Sequence, residues 1–170
     1  MDTDATSISG SWVLDVTRSD TMEEYLRHMY ASEQLIKLQA AGEQLIDIRN
    51  VIAVQADKVV LHKSTLVNKF TETRYFDADL VKQTKFGQTR SITSQVIPGD
   101  QSGLVTTTEW QNLNGQQEHY LVEVRQLTEN GQAHTQVLTV LDFATEEYLT
   151  TRRTWMRVPT TSSDSQEISV

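Results

Sequence analysis

The stretch SWVLDVTRSDTMEEYLRHMYASEQLIKLQAAG, residues 11–42, decides the fold class. It opens with a strand-like segment at 11–16 and continues as helical sequence from about Thr21 to Gly42. From there to Pro159 nearly every segment has strand character and ends at a hairpin turn signal. Many hairpin-linked strands leave exposed edges, and closure into a barrel removes them. This order predicts an all-β fold: an antiparallel up-and-down β-barrel with a helix-turn-helix lid between strands 1 and 2.

Two helix starts are expected within this stretch. Asp20 and Glu23 have the spacing of a capping box, and Ser32 marks a second start whose helix ends near Gly42. Apolar residues recur at helical spacing in both segments, which is typical of a buried helix face. We expect the following lid residues to face the barrel mouth: Met22, Tyr25, Leu26, Met29, Leu35 and Leu38.

The rest of the chain divides at turn residues. The candidate strands are 45–55, 58–67, 70–80, 89–96, 104–110, 118–127, 133–143 and 148–158. Polar residues fall on both faces of some strands, as in Thr106-Thr107-Thr108. This pattern favours a barrel with a partly polar interior over a sandwich with a dry core. We expect Trp12 to pack in the barrel floor and Trp110 to be structural.

Composition restricts the function classes. The net charge of −8 and the pI near 4.9 disfavour nucleic acid as a partner, because an acidic chain repels the phosphate backbone. The chain has no cysteine, so a disulfide framework and a thiolate metal site are excluded. The four histidines have no metal-ligand spacing, and no Gly-rich phosphate loop or catalytic acid–base pair is recognisable. We therefore predict no metal, no cofactor and no catalytic residues.

The chain ends predict domain limits and location. Residues 1–8 and 159–170 have the composition of disordered tails around one barrel domain at 9–158. The N-terminus has no basic segment followed by an apolar one, and no run approaches the roughly 20 apolar residues that cross a bilayer. These features predict a cytoplasmic protein. A secreted protein whose leader has been removed is the alternative.

Several segments, taken in order, resemble one known family. Gly10-Ser11-Trp12-Val13-Leu14 followed by residues 23–27 is similar to a signature of Gly-x-aromatic-x-aliphatic and then a helix start. Residues 57–65, 86–92 and 104–110 resemble that family's third strand, a later turn and a later strand. The family is that of the intracellular lipid-binding proteins, the cytosolic fatty-acid and retinoid carriers of the calycin group. The resemblance implies a ten-stranded antiparallel up-and-down β-barrel (calycin-like). This chain departs from the family in a longer connection between strand 1 and the first helix.

The resemblance implies a ligand and a site. In that family a fatty-acid carboxylate is held by an arginine on a late strand and by an Arg-x-Tyr pair on the last strand. These roles fall on Arg125 and on Arg153 with Trp155, which stands where tyrosine is expected and donates a hydrogen bond without accepting one. His134 and Gln136 share a strand face that we expect to line the cavity. The resemblance implies a monomer that binds and transports a long-chain fatty acid or similar carboxylated lipid, with transient membrane contact.

Strand alternation alone leaves the direction of these arginines open. Arg125 points outward if Tyr120, Val122 and Val124 form the interior face, and Arg152 rather than Arg153 is the inner arginine in the other register of the last strand. Glu123 lies on the same face as Arg125. It is placed to neutralise Arg125 when no ligand is bound.

Three other functions fit parts of the sequence. A lipocalin-type carrier of another small hydrophobic molecule shares the Gly-x-Trp opening but has eight strands and a C-terminal helix. A small barrel enzyme acting on a lipid-like substrate calls for a polar cluster with shifted pKa values inside the cavity. An interaction module calls for a barrel filled with side chains.

Overall fold

The computed structural model describes residues 6–65, 69–83, 88–96 and 102–159. Within these ranges the chain forms ten strands and two α-helices. The strands are β1 Gly10–Leu14, β2 Arg49–Val54, β3 Lys58–Ser64, β4 Lys69–Tyr75, β5 Leu80–Gln83, β6 Thr89–Val96, β7 Gly103–Gln111, β8 Gln117–Thr128, β9 Ala133–Asp142 and β10 Glu147–Arg157. The helices, α1 Glu23–His28 and α2 Glu33–Leu45, lie between β1 and β2. The predicted ten-stranded antiparallel barrel with an early helical lid is confirmed.

The strands form one sheet that curls into a barrel with one gap. Their order is β4-β3-β2-β1-β10-β9-β8-β7-β6-β5, so the first strand pairs with the last. β4 and β5 are consecutive in the chain but lie at the two edges of the sheet. Across the gap between them, the Lys82 ammonium on β5 forms an ion pair with Glu72 on β4. A side-chain contact therefore spans the part of the wall that has no backbone ladder.

Two predicted boundaries are wrong for local reasons. The expected strand 70–80 ends at Tyr75, because a turn at 76–79 follows it, in which the Asp79 carboxylate accepts from the Thr93 hydroxyl at 2.6 Å. Only the first residue of β5, Leu80, was predicted as strand. The helix expected to end near Gly42 continues to Leu45, and the Ile46 amide still donates to the Gly42 carbonyl at 3.1 Å. β2 consequently begins at Arg49 and not at residue 45.

One of the two predicted helix caps is confirmed and the other is wrong. Ser32 caps α2, and its hydroxyl accepts a hydrogen bond from the Leu35 amide at 3.2 Å. The capping box expected at Asp20 is wrong, because α1 begins after Met22 without a side-chain cap. The Asp20 carboxylate instead accepts from the Arg152 amide on β10 at 2.9 Å. The connection from β1 to α1 is thereby fastened to the last strand.

The apolar interior consists of two separate clusters. The floor cluster contains Ile8, Trp12, Leu14, Ile48, Ile52, Val59, Leu61, Leu104 and Trp155. The lid cluster contains Trp110, Leu121, Leu138 and Val140, with Met22, Tyr25, Met29 and Leu149 packed against it. Trp12 is fully buried in the floor, as expected, and its indole N–H donates to the Ile8 carbonyl at 3.0 Å. Ile8 is fully buried too, so the fold begins inside the segment expected to be a tail.

Some sequence features lie outside the described residues. They are residues 1–5 and 160–170 of the expected tails, residues 66–67 of the expected strand 58–67, and residues 86–87 of the segment that resembles a turn of the family. In the described ranges, neither helix is long and apolar enough to cross a membrane.

Candidate ligand-binding cavity

A layer of polar side chains separates the floor cluster from the lid cluster. Because inward-facing residues alternate along a strand, β7, β8 and β10 each pass from one cluster through this layer to the other. We call it the polar layer; its buried members are Asn50, Glu72, Arg74, Ser94, Thr106, Glu123, Arg125, His134, Gln136, Thr151 and Arg153. Buried polar groups persist where they satisfy one another, so the hydrogen bonds of this layer decide what it can do.

Arg125 points into the barrel and is 1% exposed. Its Nε donates to Glu123 Oε1 at 3.0 Å, and its Nη1 lies 3.0 Å from His134 Nε2. The chain of contacts continues from Glu123 to Gln136, whose Nε2 donates to Glu123 Oε2 at 2.9 Å. Trp155 Nε1 then donates to Gln136 Oε1 at 2.9 Å. Arg125, Glu123, Gln136 and Trp155 therefore form one continuous network.

The protonation states of this network follow from its geometry. Burial raises the pKa of Glu123, but Arg125, Lys63 and Arg74 outweigh it and lower that pKa to about 2. Burial and the Arg125 charge hold the pKa of His134 well below its ordinary value, so the imidazole is neutral. Because guanidinium groups only donate, His134 Nε2 accepts from Arg125 and the ring proton is on Nδ1.

Arg153 also points inward, whereas Arg152 is exposed. Its Nη1 donates to the Asp20 carbonyl at 2.7 Å, and its Nη2 forms an ion pair with Glu43 on α2. The side chains of both partners of that pair are less than a tenth exposed. Arg153 therefore fastens the second lid helix to the barrel.

A cavity of about 620 Å³ lies between the polar layer and the lid cluster. Its apolar wall is built from Met22, Tyr25, Phe70, Ile92, Trp110, Leu121 and Leu138. Its ionisable wall residues include Lys63, Glu72, Arg74, Lys82, Arg90 and Glu123, which makes four cations against two carboxylates. Gln136 reaches the cavity, but Arg125, His134, Arg153 and Trp155 are not among its lining residues. Of the five expected ligand-binding residues, only Gln136 lines the cavity. The other four lie behind its wall.

The gap side of the cavity holds a second ionic group. Arg74 Nε donates to Glu72 Oε1 at 2.6 Å, and Lys82 Nζ donates to Glu72 Oε2. Arg74 Nη1 also donates to the Thr106 hydroxyl at 3.3 Å. Burial raises the pKa of Glu72, but Lys82 and Arg74 outweigh it, so this carboxyl is ionised as well.

The lid residues are only partly where the sequence places them. Met22, Tyr25 and Met29 pack on the lid cluster, and the first two line the cavity. Leu26 is partly buried but belongs to neither cluster.

The expectation for α2 is wrong. Leu35 and Leu38 are 45% and 42% exposed, while Ile36 is buried. The inner stripe of α2 is displaced by one residue because Glu43 belongs to it and reaches Arg153.

Sequence reasoning missed all four cations of the cavity wall: Lys63, Arg74, Lys82 and Arg90. A signal for two of them was present, since Lys63 alternates with Leu61 and Val59, and Arg90 with Ile92. The described residues contain no group of three or more side chains that could hold a metal ion.

Comparison with known proteins finds similarity in structure only. No family model matches the sequence, and no curated protein matches it. A REP1-NXSQ fatty acid transporter superposes with a TM-score of 0.65 at 16% identity, over 91% of this chain and 98% of that one.

Two further solved structures are similar. A Schistosoma mansoni fatty acid binding protein in complex with arachidonic acid gives a TM-score of 0.64 at 15% identity, over 92% and 98% of the two chains. Apo lipid binding protein 8 of Caenorhabditis elegans gives 0.64 at 14%, over 88% and 94%. The chain has the fold of the fatty acid binding proteins. The eight-stranded lipocalin alternative is overturned by the ten strands and the early lid.

Proposed function

We propose that this protein reversibly binds and carries a lipid with an ionised carboxylate, such as a long-chain fatty acid, inside the barrel. One observation carries the proposal: the 620 Å³ cavity is apolar beneath the lid and has an excess of cations among its charged groups. The excess lies inside a chain whose net charge is −8. A cavity of this kind suits an amphipathic anion, and it disfavours the interaction module with a filled barrel.

The two parts of such a ligand contribute differently. Each methylene group moved from water into the apolar part of the cavity contributes about 0.8 kcal/mol. A charge-assisted hydrogen bond to the head group contributes about 1.5–3 kcal/mol. The acyl tail thus supplies most of the affinity, and the cationic groups select an acid over an alcohol.

In this proposal the polar layer supports the head group. Gln136 contacts the ligand, since it lines the cavity. Arg125 and Arg153 add positive potential from behind the wall, His134 accepts a hydrogen bond from Arg125, and Trp155 donates one to Gln136. The lid around residues 22–42 opens for ligand exchange. The carrier works as a monomer in the cytoplasm, with transient contact to a membrane when it loads and unloads. The similar structures described as fatty acid binding and transport proteins support this proposal.

Titration of delipidated protein with an environment-sensitive fluorescent fatty acid tests the proposal. Saturable binding that is reversed by unlabelled fatty acids, and much less by alcohols of the same chain length, is the expected result. Equal displacement by the alcohols would show that the cavity does not recognise the carboxylate. The absence of saturable binding would overturn the carrier function.

A second candidate is an enzyme acting on a lipid-like substrate. One observation favours it: burial, the largest influence, lowers the pKa of the cavity lysine Lys63 to about 8, which suits a general base or an amine nucleophile. Glu123, with a pKa near 2, is too weak a base to assist at neutral pH. Mass spectrometry of bound lipids after long incubation separates the candidates, because a carrier returns them unchanged.

A further inference from the structure

Some charged side chains of the cavity have a hydrogen-bond or ion-pair partner within the protein, and others do not. Both carboxylates are engaged: Glu72 accepts from Arg74 and Lys82, and Glu123 accepts from Arg125 and Gln136. Arg74 and Lys82 are both paired with Glu72. Each of these side chains therefore has a partner supplied by the protein itself.

Lys63 and Arg90 differ from the other cavity cations. Among the described residues, neither side chain has a hydrogen-bond or ion-pair partner, and Arg90 Nε is buried with its donor unused. Lys63 makes one weaker contact, with its ammonium 5.6 Å from the centre of the Phe70 ring. A cation in a water-restricted cavity is costly when no anion faces it. Within the described part of the chain, these two cavity cations therefore have no acceptor in direct hydrogen-bond or ion-pair contact.

The sheet places these two residues on opposite sides of the gap. Lys63 on β3 is opposite Phe70 on the edge strand β4, and Arg90 on β6 is opposite Lys82 on the edge strand β5. Each thus lies one strand inward from an open edge. Both side chains line the same cavity. A ligand head group near the gap has a cation on each side of it.

We propose that Lys63 and Arg90 bind the carboxylate of the lipid at the gap, and that Arg125 and Arg153 never touch it. This assignment rests on the proposed function and identifies its head-group site. Arg125 already donates to Glu123 and His134, and Arg153 to Glu43 and the Asp20 carbonyl. A ligand carboxylate at Arg125 would have to displace the buried Glu123 carboxylate or lie against it.

The environment of Lys63 gives this site a pH signature. Burial lowers its pKa to about 8; Glu123 and Glu72 act against this, and Arg125 and Arg74 add to it. A bound carboxylate favours the ammonium form, so ligand binding below pH 8 uses a charge that is lost above it. Fatty-acid affinity should therefore fall as pH rises through 8, while the affinity for an alcohol of equal length stays constant.

Three variants test the assignment: Lys63→Met, Arg90→Met and, as the control, Arg152→Met, which removes an exposed arginine from β10. The probes are palmitic acid and hexadecanol, measured by displacement of a fluorescent fatty acid. We expect each cavity variant to lose about tenfold or more in palmitate affinity, with hexadecanol affinity retained. The control should bind both probes as the unaltered protein does.

The outcomes separate the two proposals. Unchanged palmitate affinity in both cavity variants, with binding intact in the unaltered protein, overturns the Lys63–Arg90 site and leaves the carrier function standing. Failure of the unaltered protein to bind either probe overturns the carrier function, and this assignment with it. If a variant does not fold, the pH dependence of the unaltered protein decides: a palmitate affinity that is flat from pH 7 to 9 contradicts the role of Lys63.

Discussion

Two charged regions inside the barrel differ in how their cations are paired. In the Arg125 network on β8–β10, the guanidinium has a carboxylate and an imidazole as acceptors, and Gln136 and Trp155 complete the chain. On the gap side, Lys63 and Arg90 have no hydrogen-bond or ion-pair partner among the described residues. Breaking a buried ion pair leaves an unpaired charge and destabilises the fold, whereas removing a buried charge that has no partner relieves its desolvation cost. Substitutions in the two regions should therefore have opposite effects on stability.

The largest effect is expected from Arg125→Met. The substitution leaves the Glu123 carboxylate buried without its main partner, so we expect a loss of about 3–5 kcal/mol in the free energy of unfolding. Urea denaturation measures it. The matched control is Arg152→Met on the exposed face of β10, with a change within about 0.5 kcal/mol. A loss below 1 kcal/mol for Arg125→Met would contradict the structural role given to the network.

Acid should weaken the same network. His134 has a lowered pKa, so unfolded chains take up its proton first and stability falls as pH drops below about 6.5. The lowered pKa of Glu123 adds stability above pH 4.5 that is lost as pH falls toward 2, amounting to roughly 3 kcal/mol. Urea melts between pH 7 and 3 follow both. In His134→Gln the decline should begin nearer pH 4.5, and an unchanged onset would contradict the assignment.

Lys63→Met should stabilise the empty protein at pH 7. The folded state disfavours the ammonium, with a pKa near 8 against 10.5, so the variant removes a buried charge that costs roughly 1–3 kcal/mol. In the unaltered protein the same cost is relieved as pH rises from about 8 to 10.5. Denaturation of the delipidated variant at pH 7 measures the gain. Destabilisation of the empty protein would mean that Lys63 has a structural partner like that of Arg125.

The smallest effect is expected from Lys82→Met at the gap. The Lys82 side chain is 36% exposed, and Glu72 retains Arg74, so the loss should be about 1 kcal/mol or less. Hydrogen exchange of the β5 amides should nevertheless become faster, because β5 loses its link to β4. Equal exchange in both proteins would show that the ion pair does not hold the gap.

The order of elements made the fold predictable from sequence. The strand-like opening at 11–16, the helical stretch to Gly42 and the hairpin signals that follow survive errors of a few residues at each boundary. Boundaries failed where tertiary contacts decided them. Gly42 has the residue type of a helix end, yet it lies inside α2 because the packed helix continues to Leu45.

The candidate site was less predictable, and for a different reason. The resemblance placed Arg125 and Arg153 on the right strand faces, but alternation cannot show which partner a side chain has once it is inside. Glu123 was recognisable as a neighbour of Arg125 because it is two residues away. Glu43 was not recognisable as the partner of Arg153, since 110 residues separate them in the chain. Alternation indicated that Lys63 and Arg90 face inward, but their position beside the gap depends on the sheet order, which the sequence does not show.

The ion pair between Glu43 on α2 and Arg153 on β10 has a kinetic consequence. If α2 swung outward during the proposed ligand exchange, its Glu43 carboxylate would leave and the Arg153 guanidinium would be uncovered. Such an opening would expose a positive potential on a protein whose net charge of −8 otherwise repels anions. Long-range attraction between that entrance and an anionic lipid would raise the association rate at low ionic strength, and added salt would screen it.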